Sequence, residues 1–171
     1  MSKLETDYVV AVLSALPNHE LKSTCRVHKL FYLLIHLFKD WPSQLYSYEF
    51  TYYGIYSYQL QRIIENDDRI GIVPKDQNGG FCIFLDSFQF DDGPSLSSDQ
   101  QEVVTQLAAL EPTVLRVLTT IVYLDSHFYS GKQIRTKITR DMIGYWHWKV
   151  QPNQLDEACK LAKQFFNIST T

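Results

Sequence analysis

The segment from Val27 to Phe38 reads VHKLFYLLIHLF, and it decides how the rest of the chain must be arranged. Its apolar residues recur at the i, i+3, i+4, i+7 spacing of one helix face, and further apolar residues widen that face. A helix that is apolar on almost every side has to be covered on several sides. We therefore predict a central helix that begins near Ser23 or Thr24 and is ended by Pro42.

Helical spacing and turn residues predict further helices on both sides of the central one. Ser and Thr favour the position before a helix, and Pro favours its first turn. The predicted starts lie at or just after Thr6, Ser57, Ser98, Pro112, Gly131 and Pro152. The chain between Tyr48 and Tyr52 alternates in polarity, so an extended approach to Gly54 is expected.

A β-hairpin is predicted from Ile70–Val73 and Phe81–Leu85, joined by a turn at Asn78-Gly79-Gly80. Asp91 to Pro94 is predicted to be a loop. Three helices followed by a hairpin outline a winged helix-turn-helix unit. The predicted fold class is α+β, mainly α, in which one multi-helix domain over residues 1–171 carries a winged helix-turn-helix-like hairpin.

The charge and the cysteines limit the classes of protein to consider. A net charge of -3 over 171 residues disfavours a dedicated nucleic-acid binder, which needs clustered Lys and Arg. Three cysteines, Cys25, Cys82 and Cys159, are odd in number and far apart, so a disulfide framework is not expected. The longest apolar run, Leu30 to Phe38, is too short for a membrane span. We expect a cytoplasmic protein with no membrane partner.

Aromatic residues are unusually frequent, with 11 Tyr, 10 Phe and 3 Trp. A buried Tyr needs a hydrogen-bond partner for its hydroxyl group, whereas an exposed Tyr is well suited to binding. The tyrosines therefore indicate either a core with polar tips or an aromatic binding surface.

No catalytic constellation is recognisable in the sequence. The Gly-x-Ser-x-Gly elbow, the phosphate-cradling Gly-rich loop and the His-Glu-x-x-His zinc helix are all missing. Cys25 and His28 lie three residues apart on the central helix and could share a metal or form a nucleophile-base pair, but a small thiol beside a helix histidine is usually structural. We therefore expect no enzymatic activity, no cofactor and no stoichiometric metal.

Basic residues cluster in two places, and each cluster is either a solvated face or a phosphate-binding surface. Helical spacing predicts a basic stripe on the central helix, formed by Lys22, Arg26 and Lys29. The second cluster consists of Lys132, Arg135, Lys137 and Arg140.

Glycine and serine shape a tyrosine-rich turn that follows the central helix. Gly54 permits a backbone conformation that other residues resist, and Ser57 can cap the next helix. If this turn packs on the central helix, Lys29, Tyr53 and Tyr56 could line a patch with Ser57 that holds an anion or an acidic side chain. Alternatively, the tyrosines only pin the extended segment to the helix.

Two motifs of the chain resemble those of the Panacea-type antitoxin domains and related bacterial domains. In that family a helix reads roughly Leu-Gln-Lys-Leu-x-Tyr, and the corresponding residues here are Val27, His28, Lys29, Leu30 and Tyr32. A later turn reads Tyr-Gly-Pro-Tyr-Ser, and the corresponding residues are Tyr53, Gly54, Ile55, Tyr56 and Ser57. Trp146-His147-Trp148 loosely resembles a later region of the family in which a Trp follows a helix.

The resemblance implies an antitoxin-like module that neutralises a protein toxin, or another defence-system protein, by direct contact in a toxin-antitoxin or phage-defence system. The predicted partner-binding residues are Arg26, Lys29, Tyr32, Tyr53, Tyr56, Ser57 and Phe81. The alternative is a winged-helix regulator that binds DNA. The sequence identifies neither the partner nor the oligomeric state.

Overall fold

The computed structural model describes residues 3–42, 45–74, 81–86, 95–127 and 129–170. The α-helices are α1 (Lys3–Ala15), α2 (Thr24–Leu37), α3 (Tyr58–Asn66), α4 (Ser98–Ala109), α5 (Pro112–Ser126), α6 (Gly131–Lys137) and α7 (Pro152–Phe166). The strands are β1 (Glu20–Lys22), β2 (Glu49–Thr51), β3 (Gly54–Tyr56), β4 (Ile70–Pro74) and β5 (Phe81–Leu85). A 3-10 turn (Pro17–His19) precedes β1, and a π-helix (Ile138–Tyr145) continues directly from α6. The fold is α+β and mainly helical, which confirms the coarse class that the sequence predicts, whereas the winged helix-turn-helix arrangement stays a prediction.

Two small antiparallel sheets accompany the helices. Strands β4 and β5 pair as the predicted hairpin, with Ile72 opposite Ile83, and β1 adds to the free side of β5, giving the order β1-β5-β4. Strands β2 and β3 form a separate hairpin between α2 and α3, with Phe50 opposite Ile55. The predicted turn at Asn78-Gly79-Gly80 and the predicted loop from Asp91 to Pro94 lie outside the described residues.

Helix α2 lies at the centre of the molecule, as its sequence predicts. Leu30, Leu33 and Leu34 are 0% exposed, and the helix packs against α3, α4, α5 and α7. The buried side chains form a core to which α1 to α7 all contribute. Several covered sides explain why α2 lacks the polar face of an ordinary surface helix.

Helix α5 is buried to a similar degree, which its sequence did not reveal. Successive residues on several sides of α5 are buried, including Val117, Leu118 and Thr119. The two threonine hydroxyls at 119 and 120 donate to backbone carbonyl groups within the helix, so neither is left without a partner in the core. The core is therefore built on two central helices, α2 and α5, which pack against each other.

Three predicted helix boundaries are wrong by a few residues. Thr6 lies inside α1 rather than before it, and its side chain forms a hydrogen bond with Asp67. Helix α2 ends at Leu37, ahead of Pro42, because Phe38 already has an extended backbone. The capping box of α4 is formed by Ser97 and Gln100, one residue earlier than predicted. The predicted cap of α3 by Ser57 and the start of α5 at Pro112 are confirmed.

Within the described ranges, no single helix has the length and apolar character needed to cross a membrane. Only α4 and α5 taken together would meet that test, and they are bent by 118° at the break between them.

Shortening Leu34 to alanine should lower the free energy of unfolding by about 2–5 kcal/mol, since it leaves a cavity where α2 is covered on several sides. Urea unfolding followed by circular dichroism measures the loss. Val73→Ala is the control, because Val73 is 44% exposed at a strand edge and should cost about 0.5 kcal/mol or less. Equal losses for the two variants would show that α2 is not a central packing element.

Candidate functional site

The β2–β3 hairpin and the start of α3 are attached to α2 through His28. The backbone N–H of Ser57 donates to His28 Nδ1 at 3.3 Å, and His28 Nε2 lies 3.0 Å from Gln61 Oε1 on α3. The ring of Tyr56 lies 4.1 Å from the His28 ring, centroid to centroid. The two segments that resemble the Panacea motifs therefore pack directly against each other.

The hydrogen bonds of His28 fix its protonation. Because Ser57 N–H needs an acceptor, His28 Nδ1 carries no proton, and Nε2–H donates to the Gln61 carbonyl oxygen. Burial lowers the pKa of His28 to about 4. The hydrogen bond to Gln61 opposes this shift, and the positive charge of Lys29 adds to it. The imidazole is thus neutral near pH 7 and has a structural role.

Both nitrogens of His28 are engaged in this way, so His28 is not available to Cys25, which is exposed on the first turn of α2. The Cys25-His28 pairing considered from the sequence, as a metal site or a nucleophile and base, is therefore wrong. Across the part of the chain that the structure describes, no three His, Cys, Asp or Glu side chains group closely enough to hold a metal ion.

Gly54 lets the hairpin sit directly on two cationic side chains. Its φ of +95° is rarely adopted by other residues, and a Cβ there would lie 3.3 Å from both Lys29 Cε and Arg116 Cγ. Lys29 is only 6% exposed, and its Nζ donates to Cys25 O at 3.1 Å. Burial lowers the pKa of Lys29 to about 8. The nearby Cys25 raises this pKa, whereas the positive charges of Arg116 and Arg26 lower it further.

Trp148 and Arg116 hold the other side of the hairpin. The Trp148 indole N–H donates to Tyr52 O at 3.0 Å, and the Arg116 guanidinium carbon lies 4.2 Å from the centre of the Trp148 ring. The sequence singled out Trp148 only as a loose family resemblance, and it missed Arg116 altogether. Arg116 lies on α5 and contacts Trp148 far along the chain, and the local spacing of residues cannot predict such a contact.

Four of the predicted partner-binding residues point inward or cap another element. Lys29, Tyr32 and Ser57 are 6%, 5% and 0% exposed. Arg26 is half-buried, and its guanidinium donates to Ala108 O and Leu110 O at the end of α4, at 2.7 and 2.6 Å. The predicted basic stripe on α2 is therefore wrong as a solvent-facing surface, because Arg26 and Lys29 donate to backbone carbonyl groups within the fold. Lys22, its third member, lies on β1 rather than on α2.

The other three predicted residues reach solvent to different degrees. Tyr53 is 70% exposed and Phe81 is 45% exposed, whereas Tyr56 is partly covered by its contact with His28. Phe81, the first residue of β5, lies beside the N-terminal end of α2, where Phe81 O accepts a hydrogen bond from Ser23 N. Some tyrosines, such as Tyr32 and Tyr46, lie in the core, and others, such as Tyr53, are exposed.

Exposed and half-buried aromatic side chains from two distant parts of the chain meet beside the hairpin. The Tyr52 ring lies 5.3 Å from that of Tyr53 and 6.3 Å from that of Trp146, while Phe50 lies 5.6 Å from Trp146. Tyr145, next to Trp146, is 79% exposed. We call Phe50, Tyr52, Tyr53, Tyr145 and Trp146 the aromatic face.

No protein-family model matches this chain, and neither the curated proteins nor the solved structures give a significant match.

Protonation of His28 should make stability depend on pH below neutrality. Its folded pKa of about 4 is below the ordinary value of 6.5, so unfolding takes up a proton and stability falls as pH decreases from about 6.5 towards 4. The full effect is about 3 kcal/mol at most. Urea unfolding at a series of pH values should show that His28→Gln, the residue type of the resembling family, lacks this component.

His127→Gln serves as the control for that series, because His127 is exposed at the end of α5. The measured quantity is the difference in pH dependence between each variant and wild type, which removes the shared titration of the carboxylates. An unchanged pH dependence in His28→Gln would contradict the buried neutral imidazole.

Replacing Gly54 by alanine should destabilise the protein by about 1–3 kcal/mol, because the side chain would be strained at positive φ and would crowd Lys29 and Arg116. Gly144→Ala is the matched control, since its Cβ would meet only Thr139 O at 3.4 Å. Thermal unfolding compares the two. If Gly54→Ala were as stable as Gly144→Ala, the close seating of the hairpin on α2 and α5 would be refuted.

Proposed function

We propose that this protein is a non-enzymatic interaction module, antitoxin-like, which neutralises a protein toxin or another defence-system protein by direct binding. The observation that carries the proposal is the aromatic face, on which Tyr52, Tyr53 and Tyr145 are 54%, 70% and 79% exposed. Tyr and Trp are enriched among the residues that dominate binding energy at protein interfaces.

The aromatic face is held in place before any partner arrives. Trp148 fixes the backbone at Tyr52, Ser57 fixes the end of β3 on His28, and Gly54 fixes the turn on Lys29 and Arg116. A rigid aromatic surface loses little conformational entropy on binding, which favours affinity. The hairpin therefore presents its tyrosines in a single arrangement.

We assign the predicted residues to two roles according to their burial, partner contact for those that reach solvent and support of the hairpin for those that are buried. Tyr53 is the proposed partner contact, and Tyr56 and Phe81 are proposed contacts nearer the start of α2. Lys29 and Ser57 are proposed to act indirectly, by positioning the hairpin. Arg26 and Tyr32 have the same supporting role through the end of α4 and the core.

The resemblance to the Panacea-type motifs supports the antitoxin part of the proposal. Its two halves, on α2 and on the β2–β3 turn, are the segments that pack together here through His28 and Lys29. Residues of such a motif that join two segments would serve to display the turn.

A winged-helix DNA-binding regulator is the second candidate, favoured by the arrangement of α1, α2 and α3 beside the three-stranded sheet β1-β5-β4. Charge weighs against it. The exposed residues of α3 include Arg62 but also Glu65, and the cations of α2 are used within the fold. Phosphate contacts require clustered and accessible cations.

Removing an exposed tyrosine from the turn should weaken neutralisation without unfolding the protein. Tyr53→Ala is expected to weaken binding to a cognate toxin about tenfold or more, because truncation of an aromatic anchor commonly costs about 2 kcal/mol. Growth rescue of cells that express a candidate toxin from the neighbouring gene gives the first measurement, and titration of the purified pair gives the second.

Lys160→Ala is the control, since Lys160 is exposed on α7 and lies outside the aromatic face. Full rescue by well-folded Tyr53→Ala and Tyr52→Ala variants would remove the aromatic face from the contact surface. Protection that requires only repression of a promoter, with strongly salt-dependent DNA binding, would replace the proposal by the regulator.

A further inference from the structure

A groove of about 540 Å³ opens beside the aromatic face, between α5, β2 and the π-helix. Its volume lies in the range of small-molecule sites. Aromatic rings make up much of the wall, and polar groups lie among them. Its lining residues include Phe50, Tyr123, Tyr129, Lys137, Asp141 and Trp146.

Two pairs of rings in the groove have planes inclined by 28° and 31° to each other. Phe50 stacks on Tyr123 with 5.0 Å between centroids and 28° between planes, and it faces Trp146 at 5.6 Å and 31°. Flat rings that share an orientation offer a stacking surface to another flat ring. The shape favours a planar heterocycle over a branched aliphatic group.

The π-helix supplies one wall of the groove. Trp146 N–H donates to Asp141 O, five residues earlier, at 2.9 Å, which is the hydrogen bond of a π-helix. Asp141 and Tyr145 from this helix line the groove, and Trp146 follows it directly. Extended π-helical turns are rare and occur often at functional sites.

A cationic cleft of about 270 Å³ adjoins the groove and shares Tyr129 and Lys137 with it. Its other lining residues are Lys132, Gln133, Thr136 and Arg140. The cleft continues along α6 and the start of the π-helix into a further depression of about 570 Å³. This depression is lined by Lys132, Thr136 and Arg140 together with Arg135, Thr139 and Thr170. Cations and hydroxyl groups therefore follow directly after the aromatic rings.

The cleft keeps a net positive charge. Asp141 is paired with both Lys137 and Arg140, at 3.1 and 2.6 Å, so one carboxylate is shared by two cations. Arg135 is paired with Asp156 at 2.9 Å. Lys132 is exposed and has no ion pair among the described residues. Lys132 and the half-neutralised pair at Lys137 and Arg140 can therefore attract an anion.

We propose that the groove and the cleft together bind a nucleobase joined to phosphate, with the base stacked against Tyr145 and Trp146 at the groove wall and the phosphate beside Lys132 and Arg140. Aromatic platforms next to a cationic track are the chemistry by which proteins hold unpaired bases and their phosphates. A free nucleotide and a single-stranded nucleic acid both carry this chemistry. The inference uses the isolated protein and does not depend on the proposed toxin binding.

The test is titration of the purified full chain with ATP, followed by tryptophan fluorescence and by calorimetry. ATP should bind at least about tenfold more tightly than adenosine or inorganic triphosphate, since each of these fills only one half of the site. Stacking contributes about tenfold in affinity per base, so Tyr145→Ala and Trp146→Leu should weaken ATP binding by about that factor.

Lys132→Ala should weaken ATP binding severalfold and leave adenosine binding unchanged, because it removes only a phosphate contact. Lys160→Ala is the matched control, an exposed lysine on α7 that lines neither depression. Tyr145 and Lys132 are exposed, so their variants should fold like wild type, which circular dichroism checks.

A short single-stranded DNA forms the second arm of the experiment. Tighter binding of the strand than of ATP would identify a nucleic acid as the source, and equal or weaker binding would identify a free nucleotide. The proposal is overturned if neither ligand binds at millimolar concentration, or if Tyr145→Ala and Lys132→Ala bind both ligands as tightly as Lys160→Ala does.

Discussion

Burial of α2 on several sides is the constraint from which the rest of the structure follows. A helix that is covered on several sides must find a partner inside the fold for each polar group that it buries. His28 meets this requirement with Ser57 and Gln61, and Lys29 meets it with the carbonyl of Cys25. His28 and Lys29 also contact the β2–β3 hairpin, so the interactions that satisfy buried polar groups of α2 also fix the position of an exposed turn.

The sequence predicted the parts of the fold that depend on local patterns. The apolar spacing of α2, the Ser57 cap and the apolar runs of β4 and β5 are each contained in a short stretch of chain. The pairing of β1 with β5 was missed, because three residues are too few for a pattern and their partner lies far along the chain. The even burial of α5 was missed for a related reason, since its threonines appear polar until their hydroxyls are seen bonded within the helix.

The candidate site shows the same limit more sharply. Tyr53 was correctly placed in a turn beside the central helix, and it is exposed there. Arg26 and Lys29 were assigned to a surface because charged side chains are rarely buried, yet Arg26 caps α4 and Lys29 lies under Gly54. Arg116 and Trp148, which hold the hairpin from the other side, are distant in sequence from the residues that they contact. Composition records which residue types are present, but only tertiary contacts decide which of them face outward.

The π-helix makes the groove depend on chain length as well as on side-chain identity. Its five-residue hydrogen bonds mean that Tyr145 and Trp146 leave the helix in a direction that an α-helix of the same residues would not give. One residue fewer between Ile138 and Tyr145 would allow the ordinary α-helical hydrogen bonds to return and would change the directions in which the side chains of this helix point. Among related chains, an insertion or deletion in this helix would therefore dismantle the groove while leaving each lining residue unchanged.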